Sequence, residues 1–76
     1  MDAPSTSRAL GAANDLIDLL RLAEGAAARL AQEVHGVSHE HAALITRELR
    51  RLRRSAEQLE LEVENQVSRE RSTLIA

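Results

Sequence analysis

Three histidines lie close together near the middle of the chain. Imidazole can bind metal ions and can transfer protons near neutral pH. His35 and His39 are four residues apart, a spacing that places two rings on one side of a helix and suits Zn²⁺ or Ni²⁺, and His41 follows. Gly36 and Ser38 interrupt this run with residues typical of helix boundaries, which removes that spacing. We therefore expect solvated histidines with no metal or cofactor, and a shared gain of charge at low pH as the alternative.

Catalytic groups do not form a recognisable motif. Ser38 precedes His39, but neighbours in sequence do not make a catalytic triad, and a capping role at a helix start accounts for the serine. The sequence holds no glycine-rich phosphate loop and no nucleophile motif. Two helices with a small aliphatic core also leave little room for a substrate pocket. We expect neither enzyme activity nor a small-molecule ligand.

The segment from residue 47 to residue 54 contains five arginines, and guanidinium groups bind phosphates. Four of them fall within about 100° on the outer face of a helix and could follow a nucleic-acid backbone: Arg47, Arg50, Arg51 and Arg54. The chain has no aromatic residue to stack on bases, and glutamates that repel phosphates follow directly. Nucleic-acid binding by this basic face is therefore an alternative function and not the leading one.

The composition indicates helices that need a partner. The 76 residues include no cysteine and no aromatic residue, so Ala and Leu must build the core without disulfides. A chain of this length struggles to bury enough surface alone, which favours self-association. The formal net charge of −2 is too small to draw the whole molecule to nucleic acid or membrane. Because no apolar run suits a membrane span or a signal peptide, we expect a soluble, intracellular, cytoplasmic protein.

Signals for helix ends divide the chain near Gly36. We predict a flexible lead at residues 1–7, then one domain over 8–76 with a helix at about 8–35, a turn at 36–38 and a second helix at about 39–72. Gly36 suits the left-handed position past a helix end, and Ser38 suits the next N-cap. Such a short connection folds the helices into an antiparallel hairpin, whereas a continuous helix through Gly36 is the competing structure.

Both helices carry apolar residues at alternating spacings of four and three, which places them on one face. In the first helix further apolar residues widen the arc to roughly 200°, more than one neighbouring helix can cover. We therefore predict an all-α fold in which two hairpins dimerise into a four-helix bundle or antiparallel coiled coil. The predicted self-association interface comprises Leu16, Leu20, Leu30, Val34, Ile45, Leu49, Leu52, Ala56, Leu59 and Val63.

Charge along the second helix is sharply divided, with arginines in its first half and glutamates in its second. The facing part of the first helix offers Asp15 and Asp18, so we expect acid against acid within the chain. A second copy running antiparallel matches basic to acidic at both ends. In an antiparallel pair of identical helices, the numbers of residues that face each other have a constant sum, and the apolar spacing of the second helix sets this sum at 115. The register predicts two inter-chain pairs, Arg53 with Glu60 and Glu48 with Arg69. Surface pairs of this kind set orientation more than affinity.

The leading hypothesis is a non-enzymatic protein–protein interaction module, a small adaptor, regulator, chaperone or assembly subunit that acts through self-association of amphipathic helices. Its predicted partners are itself, as a homodimer or higher oligomer, and another protein. In a variant of this hypothesis, helices of a different protein cover the apolar face. The alternative is a helical regulator that binds nucleic acid through the Arg47–Arg54 face and responds strongly to salt.

Overall fold

The computed structural model describes the backbone of residues 5–75 and the side chains of residues 8–70. Helix α1 (Ser5–Glu33) and helix α2 (Val37–Ile75) pack against each other as an antiparallel hairpin. The molecule is long and thin, with principal dimensions of 60 × 17 × 11 Å. The predicted all-helical hairpin is confirmed, and its narrow shape means that each helix has only one neighbour within the chain.

Both helices are longer at their outer ends than the sequence predicted. Helix α1 begins at Ser5, where a start at residue 8 was expected, and α2 ends at Ile75 instead of residue 72. The first turn of a helix tolerates Ser and Thr because its N–H groups have no intrahelical partner. No Gly or Pro follows Gly36, so the sequence contains nothing to stop α2 earlier. The remainder of the predicted flexible lead, residues 1–4, lies outside the described residues.

The turn comprises residues 34–36, two positions earlier than predicted. Gly36 has a φ of 65°, the left-handed conformation expected for it, which rules out the continuous helix. Its carbonyl accepts the N–H of Glu40 at 3.1 Å, so Gly36 itself provides the first helical hydrogen bond of α2. Ser38 consequently lies inside the first turn of α2, and its predicted N-cap role is wrong.

The contact between the helices is narrow and built from small residues. Among the described side chains the buried apolar ones are Ala13, Ile17, Ala42 and Ala56, with exposed fractions between 4% and 7%. Three of these four are alanines, which let the two helix backbones approach closely. No large side chain in this part of the chain is fully enclosed, because two helices alone cannot surround one.

Candidate interaction surface

One side of the hairpin carries two rows of exposed aliphatic side chains. Leu16, Ala23 and Leu30 succeed one another at intervals of seven residues along α1, and Ile45, Leu52 and Leu59 do so along α2. Seven residues are almost two helical turns, so each row stays on one face with about 10.5 Å between neighbours. We call these six residues the leucine ladder.

The ladder has three rungs, each formed by one residue of α1 and one of α2. Leu16 and Leu59 line one groove, and extending this antiparallel register along the helices pairs Ala23 with Leu52 and Leu30 with Ile45, so that the numbers in every rung sum to 75. The five large members have exposed fractions of 43% for Leu16, 47% for Leu59, 54% for Leu52, 54% for Leu30 and 51% for Ile45. Roughly half of each of these side chains therefore faces solvent.

An apolar groove runs between the two rows at the lower part of the ladder, away from the turn. Leu16 and Leu20 of α1 and Leu52, Ala56 and Leu59 of α2 line it, together with a single polar residue, Ser55. Leu20 and Ala56 form the floor of the groove, while the three ladder leucines rise on its walls. The groove is thus an apolar surface that no other part of the described chain covers.

The ten residues predicted to mediate self-association divide into two sets. Five of them are buried or half-buried within the hairpin: Leu20, Val34, Leu49, Ala56 and Val63. The other five are the large members of the ladder. The wide apolar arc predicted for α1 explains this division, because the intrachain neighbour covers one part of that arc and leaves the adjoining part exposed.

The opposite side of the helix contact is held by a group of charged residues, which we call the charge cluster: Arg21, Glu24, Arg50, Arg53 and Glu57. The Nε of Arg53 donates a short hydrogen bond to Glu24, and an NH group of the same guanidinium donates to Glu57 at 2.9 Å. Arg21 also donates to Glu57, at 3.2 Å, and Arg50 lies 3.9 Å from Glu24. The Arg53–Glu57 bond lies within α2, and the other three contacts link α1 to α2 at mid-length.

Burial is moderate at the centre of this cluster. The side chains of Arg53 and Glu24 are 22% and 14% exposed. Hydrogen bonding to Glu24 and then to Glu57 raises the pKa of Arg53 above its ordinary value. The hydrogen bond from Arg53, assisted by that from Arg21, lowers the pKa of Glu57 below its ordinary value. Both shifts favour the charged forms that make the cluster.

The charge cluster corrects the expectation of acid against acid within the chain. Asp18 does line one shallow depression with Glu57 and Glu60, but Arg21 enters the same depression and supplies a cation. Arg53 turns toward α1 and donates to Glu24 of its own chain. The predicted inter-chain pair of Arg53 with Glu60 would therefore have to compete with intrachain bonds. Glu48 and Arg69, the other predicted pair, have exposed side chains.

Glu24 has a role that the sequence did not predict. It occupies a position in the series Ala13, Ile17, Leu20, Glu24, Ala27, where every other member is apolar. A carboxylate on an apolar stripe at that spacing signals a buried or half-buried ion pair. Arg53 and Glu57, by contrast, are four residues apart on α2, a spacing that favours an ion pair, and their side chains lie 2.9 Å apart.

The structure separates the arginines of the basic run. Arg53 and, more loosely, Arg50 reach the acids of the charge cluster. Arg47, Arg51 and Arg54 are exposed and make no ion pair with any described residue. The spacing of four and then three residues places these three guanidinium groups in one strip on the outer face of α2. The proposed phosphate-binding face is therefore reduced to three unpaired members.

The histidines near the turn do not come together with other ligands. Within residues 8–70, no group of three metal-ligating side chains lies close enough to hold an ion. His39 instead contacts the carbonyl oxygen of Ala31 through its Nδ1, at 2.6 Å. That carbonyl lies in the last turn of α1, where backbone acceptors lack helical partners, so the imidazole N–H closes the turn from the other helix.

Comparison with known proteins adds no functional assignment. No protein-family model, curated protein or solved structure matches the chain. Along the described residues, neither helix holds an apolar stretch of the length that crossing a bilayer requires. The leucine ladder and the charge cluster are therefore the features from which a function can be inferred.

Proposed function

We propose that this protein is a non-enzymatic interaction module that acts by self-association through the leucine ladder. The observation that carries the proposal is the presence of five half-exposed large aliphatic side chains in two parallel rows on one side of the hairpin. Contiguous apolar surface rimmed by polar residues marks interaction sites in soluble proteins. The ladder is a contiguous apolar surface that spans 14 residues of each helix, about 21 Å along the hairpin.

The total exposed area supports a large interface. The chain exposes 5866 Å², whereas a compact protein of 8.4 kDa exposes only about 4,600 Å² by the usual scaling of area with mass. The excess reflects helix surface that has no neighbour in an elongated hairpin, and self-association would cover surface of this kind.

The distribution of polar groups supports burial of one side only. Charged residues of the charge cluster occupy the opposite side, where they are paired within the chain and need no partner. The groove beside the ladder has Ser55 as its one polar lining residue, so covering it leaves few buried polar groups without a hydrogen bond. Two hairpins joined at this side would form a four-helix bundle.

A bundle of this kind suits a small adaptor, regulator, chaperone or assembly subunit. Its outer faces would remain exposed to a second protein after self-association. Such a role requires no catalytic group, metal or cofactor, only a stable scaffold that presents the same surface twice.

A matched pair of substitutions on α2 tests the proposal. Leu52 and Leu61 have nearly equal exposed fractions, 54% and 52%, but only Leu52 belongs to the ladder. We expect Leu52→Gln to raise the dimer dissociation constant by about 30-fold or more, as for a central interface residue. Leu61→Gln should change the constant less than about threefold. Analytical ultracentrifugation measures both, and equal effects of the two substitutions would contradict the proposal.

The three unpaired arginines favour a second candidate function, binding to nucleic acid. Arg47, Arg51 and Arg54 form a strip that could contact consecutive phosphates on one strand. Glu48 interrupts the same segment, and the chain lacks aromatic residues for stacking, so this candidate ranks below self-association. Replacing the three arginines with Gln should abolish retention on DNA or RNA while leaving assembly intact. Absence of salt-sensitive binding by the wild-type protein would remove this candidate.

A further inference from the structure

We infer that the occupant of the ladder is a second copy of the chain running antiparallel, with the two-fold axis passing through the middle rung, Ala23 and Leu52. This inference rests on the proposed self-association and specifies its geometry. In this arrangement α1 lies on α1 of the partner and α2 lies on α2 of the partner. The axis is perpendicular to the helices, and the two turns point to opposite ends.

The ladder itself is symmetric about its middle rung. Rotation about that rung carries the outer rungs onto each other, so Ile45 meets Leu59 of the partner and Leu52 meets its own copy. On α1 the same rotation brings Leu16 onto Leu30 of the partner. Residue numbers in contact then sum to 104 on α2 and to 46 on α1. Because the numbers in every rung sum to 75, a sum of 104 on α2 requires a sum of 46 on α1. One rotation therefore aligns both helices with their copies.

This centre covers more of the exposed apolar surface than the register derived from the sequence. When numbers on α2 sum to 115, the axis lies between Ala56 and Leu59, and Ile45 falls opposite Glu70 of the partner. Ile45 is 51% exposed in the single chain and would remain beside a charged residue. With the axis at Leu52, all five large members of the ladder meet aliphatic side chains. Burial of apolar area is the main driving force for association, so the second register is favoured.

The side chains of the middle rung have sizes that suit a position on the two-fold axis. Ala23 is the one small member of the ladder, and Ala26 and Ala27 adjoin it on α1. Small side chains at the crossing point let α1 and its copy approach closely. On the other half of the rung, Leu52 and its copy fill the space between the two α2 helices. Alternation of small and large side chains around one layer is how bundle cores reach high packing density.

A parallel arrangement matches the ladder equally well in apolar terms but not in charge. If the two turns lay at the same end, α1 would lie on α2 of the partner, and Ala23 would receive Leu52. Along the rim, residues whose numbers sum to 77, two positions from the rung register, would then approach each other: Asp15 and Glu62 are like-charged, as are Arg8 and Arg69, whereas Arg29 and Glu48 are oppositely charged. Like charges placed side by side disfavour an arrangement by about as much as opposite charges favour it.

The antiparallel arrangement avoids these clashes. Around an axis at Leu52, the rim of α2 places His41 beside Glu62 of the partner and Glu48 beside Ser55 of the partner. Neither pair joins two like charges, and on the rim of α1 Asp15 lies near Arg29 of the partner, whereas Arg51 lies near its own copy beside the axis. Arg53 stays with Glu24 of its own chain, so the charge cluster does not have to open on assembly. The balance of rim charges therefore favours the antiparallel orientation, and the ladder determines where the axis lies.

Single-cysteine variants distinguish the arrangements, because the chain has no cysteine of its own. With the axis at Leu52, the two copies of residue 52 are adjacent, whereas the copies of residue 59 are about 21 Å apart along the helices. We expect Leu52→Cys to be converted mostly to covalent dimer by mild oxidation or a short bismaleimide. Leu59→Cys should remain mostly monomeric on denaturing gels under the same treatment.

Three other outcomes each overturn a defined part of the inference. Cross-linking of Leu59→Cys without Leu52→Cys would support the register whose numbers sum to 115, in which residue 59 lies within about 5 Å of its copy along the axis. Cross-linking of neither variant, while sedimentation of the reduced proteins shows dimers, would support the parallel arrangement. Reduced proteins that sediment as folded monomers, together with a monomeric wild type, would contradict the proposed function itself.

Discussion

The two long sides of the hairpin use the same two helices and opposite kinds of side chain. On one side, Arg53 and Arg21 join Glu24 and Glu57 across the helix contact, and the polar groups find partners inside the chain. On the other side, the leucine ladder leaves five large aliphatic side chains about half exposed. The side that is satisfied within the chain holds the hairpin together, and the side that is not satisfied is where assembly should occur.

This difference arises from the sizes of the residues between the two sides. The buried line of Ala13, Ala42 and Ala56 brings the helices close, and Ile17 is the one larger residue in it. Because the helices approach closely, the large side chains of the ladder lie beside the contact and remain about half exposed. The same feature that makes the hairpin thin also creates the apolar surface.

The largest effect on the free energy of unfolding should come from the buried residues of the helix contact, because both sides of the hairpin depend on that contact. We expect Ile17→Ala to lower the free energy of unfolding by about 2 to 5 kcal/mol, because Ile17 is 5% exposed and its removal leaves a cavity at the helix contact. Thermal or urea unfolding monitored by circular dichroism measures the loss. Leu22→Ala is the control, since Leu22 is 71% exposed and should change stability by less than about 0.5 kcal/mol.

The second largest effect on the free energy of unfolding should come from a substitution in the turn, because the turn connects the two helices that carry both sides. Gly36→Ala places a Cβ on a residue with a φ of 65°, which costs about 1 to 2 kcal/mol. Gly11→Ala is the matched control, because a Cβ at Gly11 meets nothing within 4 Å and the residue is helical. Unfolding experiments should therefore give opposite signs for the two substitutions. A stabilised Gly36→Ala protein would be inconsistent with the left-handed turn.

A stabilising substitution outside the ladder tests whether the stability of the hairpin and the affinity of the dimer are separate properties. A Cβ at Gly25 would meet only an NH group of Arg29, at 3.6 Å, which is ordinary contact. We expect Gly25→Ala to raise the free energy of unfolding by about 1 kcal/mol through helix propensity. Its dimer dissociation constant, corrected for unfolded chain, should equal that of the wild type. A weaker dimer would show that the face around Gly25 takes part in assembly.

The smallest effect should be a dependence on acid pH that comes from the charge cluster alone. The pKa of Glu57 is lower in the folded chain than in the unfolded chain, because Arg53 and Arg21 donate to it. Its contribution is complete above the ordinary value of 4.5 and is lost as the pH falls through the lower folded value. Glu57→Gln should therefore lose less melting temperature than the wild type between about pH 7 and about pH 3. Parallel curves would contradict the role given to Glu57.

The sequence was sufficient to predict the hairpin, and particular residues show why. Alternating spacings of four and three marked both helices, and Gly36 marked the turn with its left-handed conformation. The ends were shifted because Ser5, at the start of α1, and Ser38, in the first turn of α2, are compatible with a helical backbone as well as with caps. Helix ends depend on small local differences that a pattern does not resolve.

The division of the interface could not be predicted in the same way. Two overlapping series run along α1, one through Ile17 and Glu24 and the other through Leu16 and Ala23, and both share Leu20. Either series could face α2 on the basis of spacing alone. In the structure Ile17 is buried and Leu16 is 43% exposed, and Glu24, which lies on the same face as Ile17, accepts a hydrogen bond from Arg53. That preference depends on side-chain reach across two helices and is not visible in a single helical pattern.

The most direct measurement is the mass of the wild-type protein by sedimentation equilibrium at micromolar concentration, combined with its melting temperature over a range of concentrations. Self-association through the ladder predicts a mass of twice the 8.4 kDa of one chain, and a melting temperature that rises with protein concentration. A folded species of 8.4 kDa, with a melting temperature independent of concentration, would contradict it.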